Sequence, residues 1–120
     1  YQRILDLRPG RSAADDKTRE SKDHYEFPYR AVEGAERVLV VGAGTGNDVA
    51  AALRNGISSV TAVEIDPVIA ALGRHLHPEQ PYASPAVSLV VSDARAFFRG
   101  TRERFDLIVF GLLDSHTALG

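Results

Sequence analysis

The chain has 120 residues, 44% of them hydrophobic and 25% charged, which suits one ordinary globular domain and is too short for two. A net charge of -2 makes no electrostatic case for nucleic acid or an anionic membrane, and the absence of cysteine excludes disulfides, thiolate metal sites and a cysteine nucleophile. No apolar run nears the ~18 residues of a membrane helix and no signal-peptide pattern is present, so a cytoplasmic setting is expected.

The chain opens on Tyr1 and contains no methionine, and it reads as a domain cut from a longer protein whose remainder is free to carry a membrane region. Residues 1–8, YQRILDLR, read as a short strand, and Pro9-Gly10 as a turn. The polar stretch RSAADDKTRESKDH, residues 11–24, predicts a mobile loop or a frayed helix. Residues 1–30 are therefore expected to form an N-terminal strand and polar loop, and residues 31–120 the main domain. The aromatic segment YEFPYRAVEGAE should pack on that domain.

From Arg37 the pattern is regular. Val38-Leu39-Val40-Val41 reads as a strand buried on both faces, followed by three glycines in five positions, Gly42, Gly44 and Gly46. Asn47–Arg54 predicts a short helix, with Gly56 as its C-terminal glycine. Val60–Glu64 reads as a second strand, and Asp66-Pro67 as the cap and first residue of a helix carrying Val68, Ile69, Leu72 and Leu76 at helical spacing. Val87–Val91 predicts a third strand, Asp93 caps a helix from Ala94 to about Arg99, and Phe105–Phe110 predicts a fourth strand. Strands alternating with helices over short connections predict an α/β fold with a parallel sheet and right-handed crossovers. A doubly wound domain usually has more than four strands, so either the sheet is small or its second half lies outside this sequence.

Ligands of such sheets bind outside the carboxyl ends of the strands. There Gly42 permits a tight turn, Gly44 lets backbone N–H groups approach a ligand, and Gly46 lets the following helix start close to the strand. The helix N-terminus suits an anion or carboxylate. The dinucleotide pattern G-x-G-x-x-G is not met, because its last position is Asn47, and no Walker lysine follows. The alternative is a strand-to-helix turn that needs glycine for its own geometry. Glu64 ends the second strand 20 residues after Gly44, where a carboxylate accepts hydrogen bonds from a ribose diol. Ile65 would then lie against a base. Asp66 is explained as a helix cap. Asp93 has two readings, a cap or an acceptor for an adenine amino group with the Ala94 N–H beside it.

With those residues in place, VLVVGAGTG, VTAVEID, VVSDARAF and FDLIVF resemble the class I S-adenosylmethionine-dependent methyltransferase fold, a Rossmann-like sheet with flanking helices, and more narrowly the spermidine synthase (aminopropyltransferase) family. The resemblance covers residues 37–111. It implies S-adenosylmethionine or its decarboxylated form as cofactor, with Gly42, Gly44 and Gly46 along the methionine moiety, Glu64 on the ribose, Ile65 on adenine, and Asp93 and Ala94 at the adenine edge. The family's short N-terminal strand carries a glutamine that touches the cofactor, which implies Gln2. The sequence also departs from that family. Its glycine-motif aspartate falls on Thr45, leaving open whether Asp48 takes its place, and its fourth-strand acid falls on Gly111, with Asp114 at the second acidic position.

Asp114 is the candidate catalytic acid, able to bind or deprotonate an acceptor nucleophile, against the alternative of a solvated loop residue. His75 and His77 lie two apart on one helix, point to different faces and lack a spaced carboxylate, so no metal is expected and a capping or solvated pair is. Asp114-Ser115-His116 are adjacent residues and cannot form a triad.

Three functions stay open at this stage: group transfer (methyl or aminopropyl) from an S-adenosyl cofactor to an unknown small-molecule acceptor, a non-catalytic cofactor-binding module, and an NAD-dependent oxidoreductase. The lack of a catalytic pair weighs against the last. No nucleic-acid partner is expected, and an open sheet edge could pair two copies into a homodimer.

Overall fold

The computed structural model describes residue 8 and residues 16–111, with side chains described for Arg8 and from residue 24 onward. The expected N-terminal strand with Gln2, and Asp114, lie outside the described residues. The element order is α1 (Asp16–Ala31), β1 (Arg37–Val41), α2 (Asn47–Arg54), β2 (Ser59–Glu64), α3 (Pro67–Leu76), a 3-10 turn (Pro81–Ala83), β3 (Val87–Val91), α4 (Ala94–Gly100) and β4 (Leu107–Phe110).

The four strands form one parallel sheet in the order β3-β2-β1-β4. The chain adds β2 and β3 on one side of β1 and then returns to add β4 on the other, so the strand order reverses between β1 and β4 while all strands stay parallel. In register, Val38 pairs with Val60 and Leu107, and Val40 with Ala62 and Val109. Those residues form one face of the sheet, closed by Tyr29 of α1, Val49, Ala51 and Ala52 of α2, and Tyr82 of the 3-10 turn. Leu39 points to the opposite face and is also fully buried, but its register neighbour Ile108 is exposed, as is Phe110 further along the β4 edge.

Of the two forms expected for the polar stretch, loop or frayed helix, the helix is present: α1 runs from Asp16 to Ala31, across residues 30 and 31, where the main domain was expected to begin. Packing explains this: Tyr29 of α1 enters the core, and Arg54 of α2 holds Glu26 of α1 (Nε to Oε1, 2.9 Å). Pro28 lies inside the helix and removes one backbone donor there.

The apolar residues at helical spacing on α3 divide. Ile69 is half-buried, whereas Val68, Leu72 and Leu76 are exposed and line a shallow groove with Pro67, Ala71 and His75, and the buried positions of the helix are Ala70 and Gly73. Small residues are required there because α3 rests directly on the backbone of the glycine loop.

The fourth strand begins at Leu107 rather than Phe105. Before it, the Asp106 carboxylate accepts the backbone N–H groups of Glu36 and Arg37, each at 2.9 Å, which fastens the entry of β4 to the entry of β1. Both expected caps are present. Asp66 Oδ1 accepts from Val68 (2.8 Å) and Ile69 (3.4 Å), and Asp93 Oδ1 accepts from Arg95 (3.1 Å).

Candidate functional site

At the carboxyl edge of the sheet the strand exits are joined by backbone hydrogen bonds. The N–H groups of Gly42 and Ala43 both donate to Val63 O (2.9 and 3.0 Å), Ser92 N–H donates to Glu64 O (3.0 Å), and Gly111 N–H donates to Val41 O (2.8 Å). These bonds bring the glycine loop, Glu64-Ile65-Asp66, Ser92-Asp93 and Gly111 to one rim.

Gly42, Gly44 and Gly46 all have positive φ (71°, 60° and 109°), a region side chains other than glycine's rarely adopt. Gly46 departs from its expected role. Its missing Cβ makes room for the segment after α3 rather than for a strand, since a Cβ would stand 2.8 Å from Pro81 Cγ and 3.5 Å from His77 Cδ2.

Glu64 is buried, and both of its carboxylate oxygens are engaged. Oε1 accepts the Gly44 N–H and Oε2 the Asp66 N–H, each at 2.8 Å. The acid therefore ties the glycine loop to the exit of β2. Each oxygen keeps a second lone pair for a ligand hydroxyl. Ile65, next to it, is 67% exposed and offers an apolar side chain at the rim. Asp93 is exposed and engaged as a helix cap, with Ala94 half-buried behind it.

The sequence reading missed the underside of the loop. Tyr82 donates its hydroxyl to Gly44 O at 2.7 Å. Burial, and then the carboxylates of Glu64 and Asp48, push the Tyr82 phenol well above its ordinary value, so it stays a donor. Of the expected capping or solvated histidine pair, His77 is the cap: it is the C-cap residue of α3, its N–H donating to Gly73 O at 3.2 Å, and it is fully buried. Its Nδ1 accepts the Glu79 N–H (3.1 Å), which leaves Nε2 as the donor to Asn47 Oδ1 (3.1 Å). Asn47 in turn donates to Tyr25 OH of α1 (3.4 Å). The three prolines of HPEQPYASP signal a rigid connection, but nothing in the sequence says that it lies beneath the glycines. Gly73 offered a clearer signal, a glycine inside an otherwise apolar helix.

Asp48, in the first turn of α2, is buried, and its charge complements the helix N-terminus. Its carboxylate also fills the space beside Gly111. A Cβ on residue 111 would lie 2.6 Å from Asp48 Oδ2 and 2.6 Å from Gly42 O. The end of β4 thus cannot carry an acid of its own, and the neighbouring carboxylate comes from α2.

Residues 38–118 match a family described as a methyltransferase domain. The chain belongs to that family. Curated relatives of this methyltransferase domain include the polyamine aminopropyltransferase of Korarchaeum cryptofilum, 30% identical over 90 residues, a match covering 72% of this chain and 28% of that protein. The chain spans less than a third of the length of the first such relatives. Among solved structures, spermidine synthase from Thermotoga maritima superposes with a TM-score of 0.67 at 18% identity, over 78% of this chain and 34% of the other, which shows a shared fold. An amino pentose methyltransferase from Micromonospora echinaspora, solved with S-adenosylmethionine bound, superposes with a TM-score of 0.56 at 28% identity, over 78% of this chain and 36% of the other. The Rossmann-like methyltransferase fold expected from the glycine loop and VEID is thus the observed one. No helix among the described residues is long and apolar enough to cross a membrane.

Proposed function

We propose that this methyltransferase domain binds S-adenosylmethionine, or its decarboxylated form, across the carboxyl edge of the sheet and transfers a methyl or aminopropyl group to a small-molecule acceptor. The observation that carries the reading is the Glu64–Gly44 bond. It sets a fixed carboxylate beside the glycine loop, with the exposed Ile65 next to it, as a ribose and its base require. Gly42, Gly44 and Gly46 would run along the amino-acid end of the cofactor, Glu64 would accept the ribose hydroxyls, Ile65 would cover one face of adenine, and Asp93 with the Ala94 N–H would meet its edge. Gln2 and Asp114 complete the set, as a cofactor contact and as the acid at the acceptor. The chemistry would be direct displacement at the carbon next to a sulfonium, to which the protein contributes alignment and exclusion of water.

The aminopropyltransferase relatives and the methyltransferase with bound cofactor support this cofactor class. The reading includes a cytoplasmic setting, a reducing compartment that a cysteine-free chain fits. It also includes a homodimer through an open sheet edge such as β4. The test is calorimetry with S-adenosylmethionine, its decarboxylated analogue and NAD. Binding of an S-adenosyl ligand and not of NAD is expected. NAD binding alone would sink the proposal, and binding without transfer to any acceptor would reduce the domain to a cofactor-holding module.

A further inference from the structure

Gly44 is the most mobile kind of residue at the centre of the candidate site, yet the peptide groups on both its sides are held. Its N–H is held by Glu64 from the end of β2 at 2.8 Å, and its carbonyl by the Tyr82 hydroxyl at 2.7 Å. The second tie comes from 38 residues along the chain, out of the 3-10 turn Pro81–Ala83. That turn is itself fixed by contacts to the same loop and the start of α2, Pro81 beside Gly46 and His77 on Asn47. Fixing a backbone residue costs conformational entropy, and a loop already fixed before its ligand arrives does not lose that entropy on binding.

We infer that Tyr82 is a positioning residue of the candidate cofactor site, its hydroxyl holding the Gly44 carbonyl so that the glycine loop keeps its ligand-binding shape in the empty protein. The inference rests on reading the loop as an S-adenosyl site. Tyr82 need not touch the ligand, since it lies beneath the loop and is buried.

The test is Tyr82→Phe, which keeps the ring and removes the hydroxyl. Two readouts are taken: calorimetric affinity for S-adenosylmethionine, and hydrogen exchange of individual amides without ligand. The expected result is a fall in affinity of about five-fold or more, together with faster exchange at Gly44 while Leu39 and Val40 in β1 keep their rates. Affinity equal to that of the unsubstituted protein would overturn the inference, and so would a uniform rise in exchange across loop and sheet, which is what a purely structural tyrosine gives. If the unsubstituted protein binds no S-adenosyl ligand, the functional reading fails, and the exchange pattern still decides whether Tyr82 holds the loop. Should Tyr82→Phe not fold, Pro81→Ala keeps the phenol and loosens the turn that presents it. Selective acceleration at Gly44 is again expected, and its absence overturns the inference.

Discussion

A Cβ placed on Gly73 would overlap the carbonyl oxygen of Thr45 and lie 2.8 Å from its Cα. Helix α3 thus touches the backbone of the glycine loop with its own backbone. Neither partner can retreat, since Thr45 is flanked by the tied Gly44 and by Gly46 packed on Pro81. Gly73→Ala is therefore expected to destabilise the protein by about 1–3 kcal/mol through overpacking. That sign is opposite to the roughly 1 kcal/mol gain that alanine brings inside an unconstrained helix. Urea denaturation reads the difference, and a midpoint equal to or above that of the unsubstituted protein would refute the contact.

Glu64 has a structural duty apart from any ligand. Glu64→Ala leaves the Gly44 and Asp66 N–H groups without their acceptor. Losing the buried one alone is expected to cost about 1–3 kcal/mol without ligand. Glu64→Gln can satisfy only one of the two donors through its carbonyl, and should fall between the two. Thermal unfolding of the three proteins without cofactor checks the order. An alanine variant as stable as the starting protein would mean that Glu64 does not hold the loop.

Asp106 predicts a pH dependence. The backbone N–H groups of Arg37 and Glu36 hold its carboxyl below the ordinary value of 3.8. A group whose folded value is depressed contributes stability above the ordinary value, and that contribution is lost as pH falls through it toward the folded value. Melting temperature should therefore drop more steeply below about pH 4 in the unsubstituted protein than in Asp106→Asn. Parallel acid limbs for the two proteins would contradict this.

Arg54 joins three segments. Its Nε donates to Glu26 of α1, and its Nη1 to both oxygens of Glu79 beyond α3, at 2.8 and 2.9 Å. The Arg54 and Glu79 side chains are only 12% and 6% exposed, so Arg54→Met removes a two-oxygen ion pair from a nearly buried carboxylate and a second one from Glu26. A loss of about 3 kcal/mol is expected, and chemical denaturation that shows under about 1 kcal/mol would place the pair among weak surface contacts.

Local chemistry was legible in the sequence wherever the signal and its effect lie within a few residues. Asp66-Pro67 and Asp93 cap the helices they precede, Gly56 (φ 74°) follows α2, and the apolar runs at residues 38–41 and 87–91 are strands. Glu64 was legible as the acid at the rim, because its position at a strand end follows from the pattern itself. Illegible were contacts whose partners are far apart in sequence. The expected capping or solvated histidine pair said nothing of the His77 bond to Asn47, Tyr82 carried no signal of its own, and the helical spacing of the apolar residues of α3 did not say which of them would be covered.

The sequence by itself determined a parallel α/β fold, the rim on which a ligand would sit, and the residue types offered there, because alternation, caps and glycines act over short range. Only the tertiary structure decided what stands under that rim. Residues 73–82 lie about 30 positions beyond the glycine loop and reach it only in the folded chain. There Gly73, His77, Pro81 and Tyr82 meet Thr45, Asn47, Gly46 and Gly44 closely enough to fix the loop's shape.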